Sequence, residues 1–69
     1  MRQATDSLLS PRELTVLEHL SRGLRVPATA ERMGLSEHTV RIYLRRAQRK
    51  LGAATPTQAT VIAVRRKLI

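Results

Sequence analysis

The chain has 69 residues and carries 13 Lys and Arg against 5 Asp and Glu, which gives a formal net charge of +8. This length fits one small domain, whose core alone seldom contributes more than about 3 to 5 kcal/mol to stability. The absence of Cys excludes disulfides, thiolate metal sites and a cysteine nucleophile, and two His with a single Asp leave little for a catalytic centre. We therefore expect neither an enzyme nor a bound cofactor or metal.

No apolar run approaches the roughly 18 residues that a membrane helix needs, and the first residues lack the apolar stretch of a signal peptide. We expect a cytoplasmic protein without a membrane partner.

The charges are distributed unevenly along the chain. Up to Val40 five Arg balance the five acidic residues, and the whole positive excess lies in Arg41, Arg45, Arg46, Arg49, Lys50, Arg65, Arg66 and Lys67. This segregation indicates a polyanionic partner for the second half of the chain, the alternative being a solvated face that aids solubility.

A first helix is predicted over residues 11–22. Ser10 is a suitable N-cap before Pro11, Glu13 lies in the first turn, and Gly23 marks the end. An apolar stripe at helical spacing consists of Leu14, Leu17 and Ser21, with Leu9, Val16 and Leu20 beside it.

A second, two-turn helix opens at Val26-Pro27. Ala30 and Met33 are its inward candidates, and Gly34 is placed to end it in a left-handed turn. Because another helix follows within a few residues, the segment is typical of a helix-turn-helix arrangement.

The third helix, residues 37–51, is capped by Ser36, ends at Gly52 and is two-sided. One side of the helix is a core stripe, whose residues fall within an arc of about 60° around the helix axis: Val40, Leu44, Ala47 and Leu51. The opposite face carries His38, Ile42, Arg45, Arg46 and Arg49, with Arg41 at one flank. A helix of this size is about 22 Å long, which suits a major groove about 12 Å wide.

A fourth helix is predicted from Thr55-Pro56 to about Lys67. It has two apolar stripes, the first of Ala59, Ile62 and Ala63, the second of Val61, Val64 and Leu68. One stripe can close the core, and the other then needs a partner, which would help a chain this short to remain folded. The alternative is that both stripes are buried within one wide face.

Short motifs run through the chain in a fixed order: Leu9-Ser10-Pro11-Arg12-Glu13, Val16-Leu17, Gly23, Ala30, Met33-Gly34-Leu35-Ser36, Thr39-Val40-Arg41, Lys50-Leu51-Gly52, Ala59, Ala63 and Leu68-Ile69. Their ordered combination resembles the LuxR-type helix-turn-helix domain of bacterial transcription regulators. The resemblance covers residues 8–69 and implies an all-α, four-helix domain whose third helix is the recognition helix. It implies further that the fourth helix pairs two copies on a dyad-symmetric site. We expect a disordered N-terminal arm over residues 1–7. Because the chain begins only a few residues before the first helix, it resembles the stand-alone members of the family.

The resemblance also implies which residues contact DNA. Base-edge contacts fall on Arg41, Ile42 and Arg45, which suits the chemistry, because arginine forks bond guanine and an aliphatic group can touch a thymine methyl. A chance exposed aliphatic is the alternative for Ile42. Phosphate contacts are expected at or beside Ser10, Arg12, Ser36, Thr39, Arg46, Arg49 and Lys50. His38, on the cationic face, is a further candidate for a contact to phosphate or base. The alternatives are simple capping for Ser36 and Thr39 and a solvated surface position for His38.

Two segments depart from the family pattern. Before the second helix, Arg25-Val26-Pro27-Ala28-Thr29 replaces the usual Ser-Asn-Lys-Glu-Ile, which removes a polar cap, a basic residue and an apolar anchor. In the third helix, Tyr43 replaces a His and Ala47 replaces a larger aliphatic. We therefore expect a thinner core under the third helix.

The sequence thus predicts a sequence-specific transcription regulator that binds double-stranded DNA as a homodimer on an inverted repeat, paired through Val61, Val64 and Leu68. RNA polymerase or a partner regulator is a further candidate partner, and the expected location is the cytoplasm, in association with the nucleoid. One alternative is a promoter-recognition module resembling region 4 of sigma factors. Another is a non-specific nucleic-acid-binding or chromosome-architectural protein.

Overall fold

The computed structural model describes residues 9–69, which form four helices and no strand within that range. The helices are α1 (Pro11–Ser21), α2 (Val26–Met33), α3 (Glu37–Leu51) and α4 (Pro56–Arg65). None of these four helices combines the length and the hydropathy needed to cross a bilayer. The predicted all-α architecture is confirmed, whereas the arm expected over residues 1–7 lies outside the described residues.

Three of the helices begin at a hydroxyl side chain. Ser10, Ser36 and Thr55 each accept a hydrogen bond from the backbone amide three residues later, at 3.0 to 3.1 Å. These bonds satisfy amides that have no partner within the helix, and they explain why each helix starts where it does. In contrast, α2 begins after Arg25 without any side-chain cap, as the departure from the family pattern predicted.

Residues in the left-handed backbone conformation follow the helix ends, and the sequence does not predict this conformation for one of them. Gly34 and Gly52 have φ values of 67° and 68° and end α2 and α3 as predicted. The predicted end of α4 at about Lys67 is wrong, because Lys67 itself turns left-handed with φ 59°. The Leu68 amide donates to the Ala63 carbonyl at 2.9 Å and closes α4 at Arg65. A lysine gives none of the stop signal that a glycine gives in a sequence.

The core lies where α1, α3 and α4 meet, and α2 packs against α1 and α3. Its buried apolar side chains are Leu9, Val16, Leu17, Ala30, Val40, Leu44, Ala47, Leu51, Ala59 and Ala63. The core stripe predicted for α3 is therefore confirmed in full. Ser21, predicted to belong to the α1 stripe, is instead exposed, and its hydroxyl donates to the Glu18 carbonyl at 2.6 Å.

Thr29 is the weak point of this core. It is fully buried, and among the described residues its hydroxyl oxygen is the one buried side-chain polar atom without a hydrogen-bond partner. A buried hydroxyl left in this state costs about 1 to 3 kcal/mol. The position is one at which the resembled family has an isoleucine, so the chain has placed a polar group where an aliphatic side chain fits.

Replacing Thr29 with Val removes this hydroxyl at almost constant volume. We expect the free energy of unfolding to rise by about 1 kcal/mol, which corresponds to a rise in Tm of about 4 to 8 °C for a domain of this size. Thr29→Ser is the matched control, because it keeps the hydroxyl and removes the methyl group, and it should lower stability by about 1 kcal/mol. Thermal and urea unfolding followed by circular dichroism measure both changes. A Val variant no more stable than wild type would contradict the assignment.

Candidate nucleic-acid interface

The outward face of α3 is strongly cationic. Its exposed members are His38, Arg41, Arg45, Arg46 and Arg49, with Ile42 half-buried among them. The helical period puts these residues opposite the buried stripe, so the packing of the stripe decides in which direction the arginines point. The sequence predicted this arrangement.

Arg41 makes an ion pair with Glu37, one helical turn earlier, at 3.4 Å, and the side chains are 50% and 49% exposed. A pair of this kind on a helix surface is worth about 0.3 to 0.5 kcal/mol. A phosphate or a guanine edge can therefore displace Glu37 at little cost. The pair orients the Arg41 side chain along α3 without holding it there.

Arg41 and Arg45 also lie side by side, on the side of α3 that faces the start of α2. The two arginines share a shallow groove of about 180 Å³, whose other lining residues are Val26, Leu44, Gln48 and Pro56. Two of the predicted base contacts thus stand one turn apart on the same side of the helix. The third, Ile42, is half-buried and lies further around α3, past Arg45.

The hydroxyls expected to contact phosphate are used as helix caps. The Ser36 hydroxyl accepts from the Thr39 amide at 3.1 Å and donates to the Thr39 hydroxyl at 2.9 Å. The Thr39 hydroxyl retains its own hydrogen, and it lies at the positive end of the α3 dipole. Capping and phosphate binding are therefore compatible at this end of α3. Arg12, another expected phosphate contact, is exposed in the first turn of α1.

Lys50 differs from the other cations of α3. Its ammonium group donates to Oε1 and Oε2 of Glu13 at 2.8 and 3.0 Å, and the Glu13 side chain is only 2% exposed. The same Oε1 accepts from the Ser10 amide at 2.9 Å and completes a capping box at the start of α1. The Ser-x-x-Glu spacing could have revealed the capping box from the sequence. No local pattern could have revealed that Lys50, 37 residues away, reaches the same carboxylate.

The two apolar stripes of α4 have different environments. Ala59 and Ala63 of the first stripe are fully buried and close the core. In the second stripe Val61 and Val64 are 40% and 50% exposed, while Leu68 is half-buried against the core. The two valines are therefore not buried, so the alternative that both stripes lie within one wide buried face does not hold for them.

Together α2, the turn at Gly34 and α3 form a helix-turn-helix unit within a four-helix domain. The family model of bacterial regulatory proteins of the luxR family matches residues 7–63. The chain therefore belongs to the luxR family of bacterial regulatory proteins, as its motifs predicted.

Three curated relatives show how far the similarity extends. The chain is 34% identical over 68 residues to the transcriptional regulatory protein YdfI of Bacillus subtilis, covering 99% of this chain and 32% of that protein. It is 44% identical over 59 residues to the DNA-binding transcriptional activator DevR/DosR of Mycobacterium tuberculosis, covering 86% and 27%. It is 48% identical over 58 residues to the HTH-type transcriptional activator RamA of Corynebacterium glutamicum, covering 84% and 20%. The chain spans about a third or less of the length of these relatives.

Replacing Lys50 with Met keeps the side-chain stem and leaves the buried Glu13 carboxylate without its cation. We expect the free energy of unfolding to fall by about 3 kcal/mol, the lower end of the range for a broken buried pair, because Lys50 lies at the surface. Arg49→Met, on the exposed face, is the matched control and should change stability by less than about 0.5 kcal/mol. Urea unfolding followed by circular dichroism compares the two variants. Equal stabilities would show that the ion pair contributes nothing.

Proposed function

We propose that this domain is a sequence-specific DNA-binding transcription regulator whose α3 lies in the major groove of duplex DNA. The observation that carries the proposal is the exposed arginine face of α3, opposite its buried stripe. The luxR family membership supports it, as do relatives that are named as transcriptional regulators and activators. The lack of any acidic side chain after Val40 also favours a polyanionic partner.

Within this face, Arg41, Ile42 and Arg45 are the proposed base contacts. A guanidinium fork can bond O6 and N7 of one guanine together, and each such pair discriminates against a wrong base by about 1 to 3 kcal/mol. Two arginines one turn apart on the same side of α3 can read two neighbouring positions of a site. Ile42, further around the same helix, offers an apolar contact to a thymine methyl group.

The remaining groups are proposed to bind phosphate and so to fix the register of the domain on the duplex. They are Arg46 and Arg49 further around α3, Arg12 at the start of α1, His38, and the hydroxyls of Ser10, Ser36 and Thr39. A helix N-terminus adds partial positive charge to such contacts. Lys50 is left out of this set because its ammonium group is bound to Glu13.

A homodimer through α4 on an inverted repeat is the proposed assembly. Val61 and Val64 are the exposed apolar side chains of α4, and Leu68 borders them. Pairing two copies through this seam would set two α3 helices about 34 to 36 Å apart, one turn of the duplex. Binding to chromosomal DNA would place the protein in the bacterial cytoplasm with the nucleoid, and RNA polymerase or a second regulator is the proposed protein partner.

Two other functions make different predictions. A promoter-recognition module like region 4 of sigma factors would act attached to RNA polymerase, and the luxR family membership favours the regulator over it. A non-specific chromosomal protein would bind every duplex alike with a steep dependence on salt. Selection of duplexes from a randomised pool separates the specific function from the non-specific one, because it returns a preferred site with its symmetry and spacing.

Arg45→Ala should show whether Arg45 recognises a base or only adds positive charge to the DNA-binding surface. We expect its affinity for the selected duplex to fall at least about tenfold, since one bidentate contact is lost, and its affinity for a scrambled duplex to fall much less. Arg46→Ala, which removes the same charge from a proposed phosphate contact, should weaken both complexes alike. Fluorescence anisotropy at one fixed salt concentration measures the affinities of wild type and both variants for the two duplexes. Equal losses on both duplexes for Arg45→Ala would mean that Arg45 supplies charge and does not read bases.

Val64→Glu should separate folding from assembly. The residue is 50% exposed, so the variant should fold, while carboxylates facing each other across the seam should prevent pairing. Sedimentation with the selected duplex should show two copies for wild type and one for the variant. Gln58→Glu, an exposed position on the same helix, adds the same charge outside the seam and should leave two copies bound. Two bound copies of Val64→Glu would discard the seam.

A further inference from the structure

We propose that Glu13 and Lys50 form a tie that fixes the rotation of α3 about its own axis. Lys50 is then a positioning residue for the arginines of α3 and contributes no phosphate contact. The inference rests on the proposed function, because it explains how the same DNA-reading face is held in place.

The Glu13 carboxylate is held in place by hydrogen bonds within α1 that do not involve Lys50. Its Oε1 accepts from the Ser10 amide at 2.9 Å, and the Ser10 hydroxyl accepts from the Glu13 amide at 3.1 Å. Both bonds belong to the first turn of α1, so the carboxylate cannot shift unless this turn loses its cap. Lys50 then binds both oxygens, at 2.8 and 3.0 Å. The tie therefore joins the C-terminal turn of α3 to a fixed point on α1.

A directional contact matters here because apolar burial alone fixes the rotation of α3 only weakly. The stripe residues in the C-terminal half of α3 are Ala47, which ends in a single methyl group, and Leu51, and both belong to the same core cluster as Ala59 and Ala63 of α4. Methyl groups interlock less deeply than longer side chains, and apolar burial itself has no preferred direction. Such a contact holds α3 against the domain but resists its rotation weakly.

The rotation of α3 determines where its arginines end. A turn of roughly 15° moves a side-chain end about 5 to 6 Å from the axis by about 1.5 Å. Recognition groups need to be held within about 0.5 Å of their productive positions. Arg46 and Arg49 lie next to Lys50 on the last two turns, and Arg45 lies only one further residue back. A loosened tie therefore displaces the reading face without removing any of its charges.

The same bonds argue against a phosphate contact by Lys50. Its charge is offset by a carboxylate at hydrogen-bond distance, and its side chain is 29% exposed. A phosphate would have to draw the ammonium group away from Glu13, which would leave a carboxylate of 2% exposure unpaired. Arg46 and Arg49 present exposed guanidinium groups on the same helix without this penalty.

The double variant Glu13→Gln with Lys50→Met tests the tie. It removes one negative and one positive charge, so the net charge stays at +8, and no buried charge is left unpaired, unlike in Lys50→Met alone. The control is Glu18→Gln with Arg22→Met, which makes the same two changes at exposed positions near the other end of α1. Both variants are compared with wild type on the selected and the scrambled duplex, over a range of salt concentrations.

We expect the double variant to lose at least about tenfold in the ratio of specific to non-specific affinity and to keep the wild-type salt slope. The control should keep both. A slope shallower by about 0.9 in the double variant would show that Lys50 neutralises a phosphate and would overturn the inference. An unchanged affinity ratio would overturn it as well.

A second measurement does not depend on DNA. Residual dipolar couplings of the free protein report the orientation of α3 relative to α1, which should change in the double variant and not in the control. An unchanged orientation would overturn the tie. Failure of the proposed function can be told apart from failure of the tie. If the proposed function is wrong, wild type itself binds the selected and scrambled duplexes equally. The couplings then still decide whether the tie exists.

Discussion

The burial of one stripe on α3 determines most of what this domain can do. Val40, Leu44, Ala47 and Leu51 remove one side of the helix from water, and the helical period then forces the arginines to the other side. These four side chains are also part of the buried core that α3 shares with α1 and α4. The same helix is therefore part of the core and carries the proposed DNA-binding surface, so the proposed function makes stability and recognition depend on each other.

The bounds of the helices could be predicted to within about two residues because residues close to each end determine where the helix begins and ends. Ser10, Ser36 and Thr55 give the starts, and Gly34 and Gly52 give two ends, since hydroxyl caps and left-handed glycines act within a few residues of the chain. The end of α4 was missed because its left-handed residue is a lysine. The orientation of the arginine face followed from periodicity alone. Its roles toward bases and phosphates came from the resemblance to a family.

Contacts between distant parts of the chain could not be predicted. The Glu13 carboxylate served in the sequence only as a favourable charge in the first turn of α1, whereas in the structure it also binds Lys50 of α3. The buried hydroxyl of Thr29 is a similar case, because it depends on which helices surround α2. Each depends on tertiary packing, which neither hydrophobic period nor capping chemistry encodes. The contact with Glu13 makes Lys50 part of the framework that we propose holds the other cations of α3 in place.

We propose that α3 presents its arginine face to duplex DNA. The most direct measurement is a nuclear magnetic resonance titration of the labelled domain with the selected duplex, following backbone amides and arginine side chains together. We expect the largest shifts on α3 between His38 and Arg49, and we expect the Arg41 and Arg45 guanidinium groups to become protected from exchange. Large shifts confined to other helices, with the α3 arginines unchanged, would show that DNA binds elsewhere on the domain.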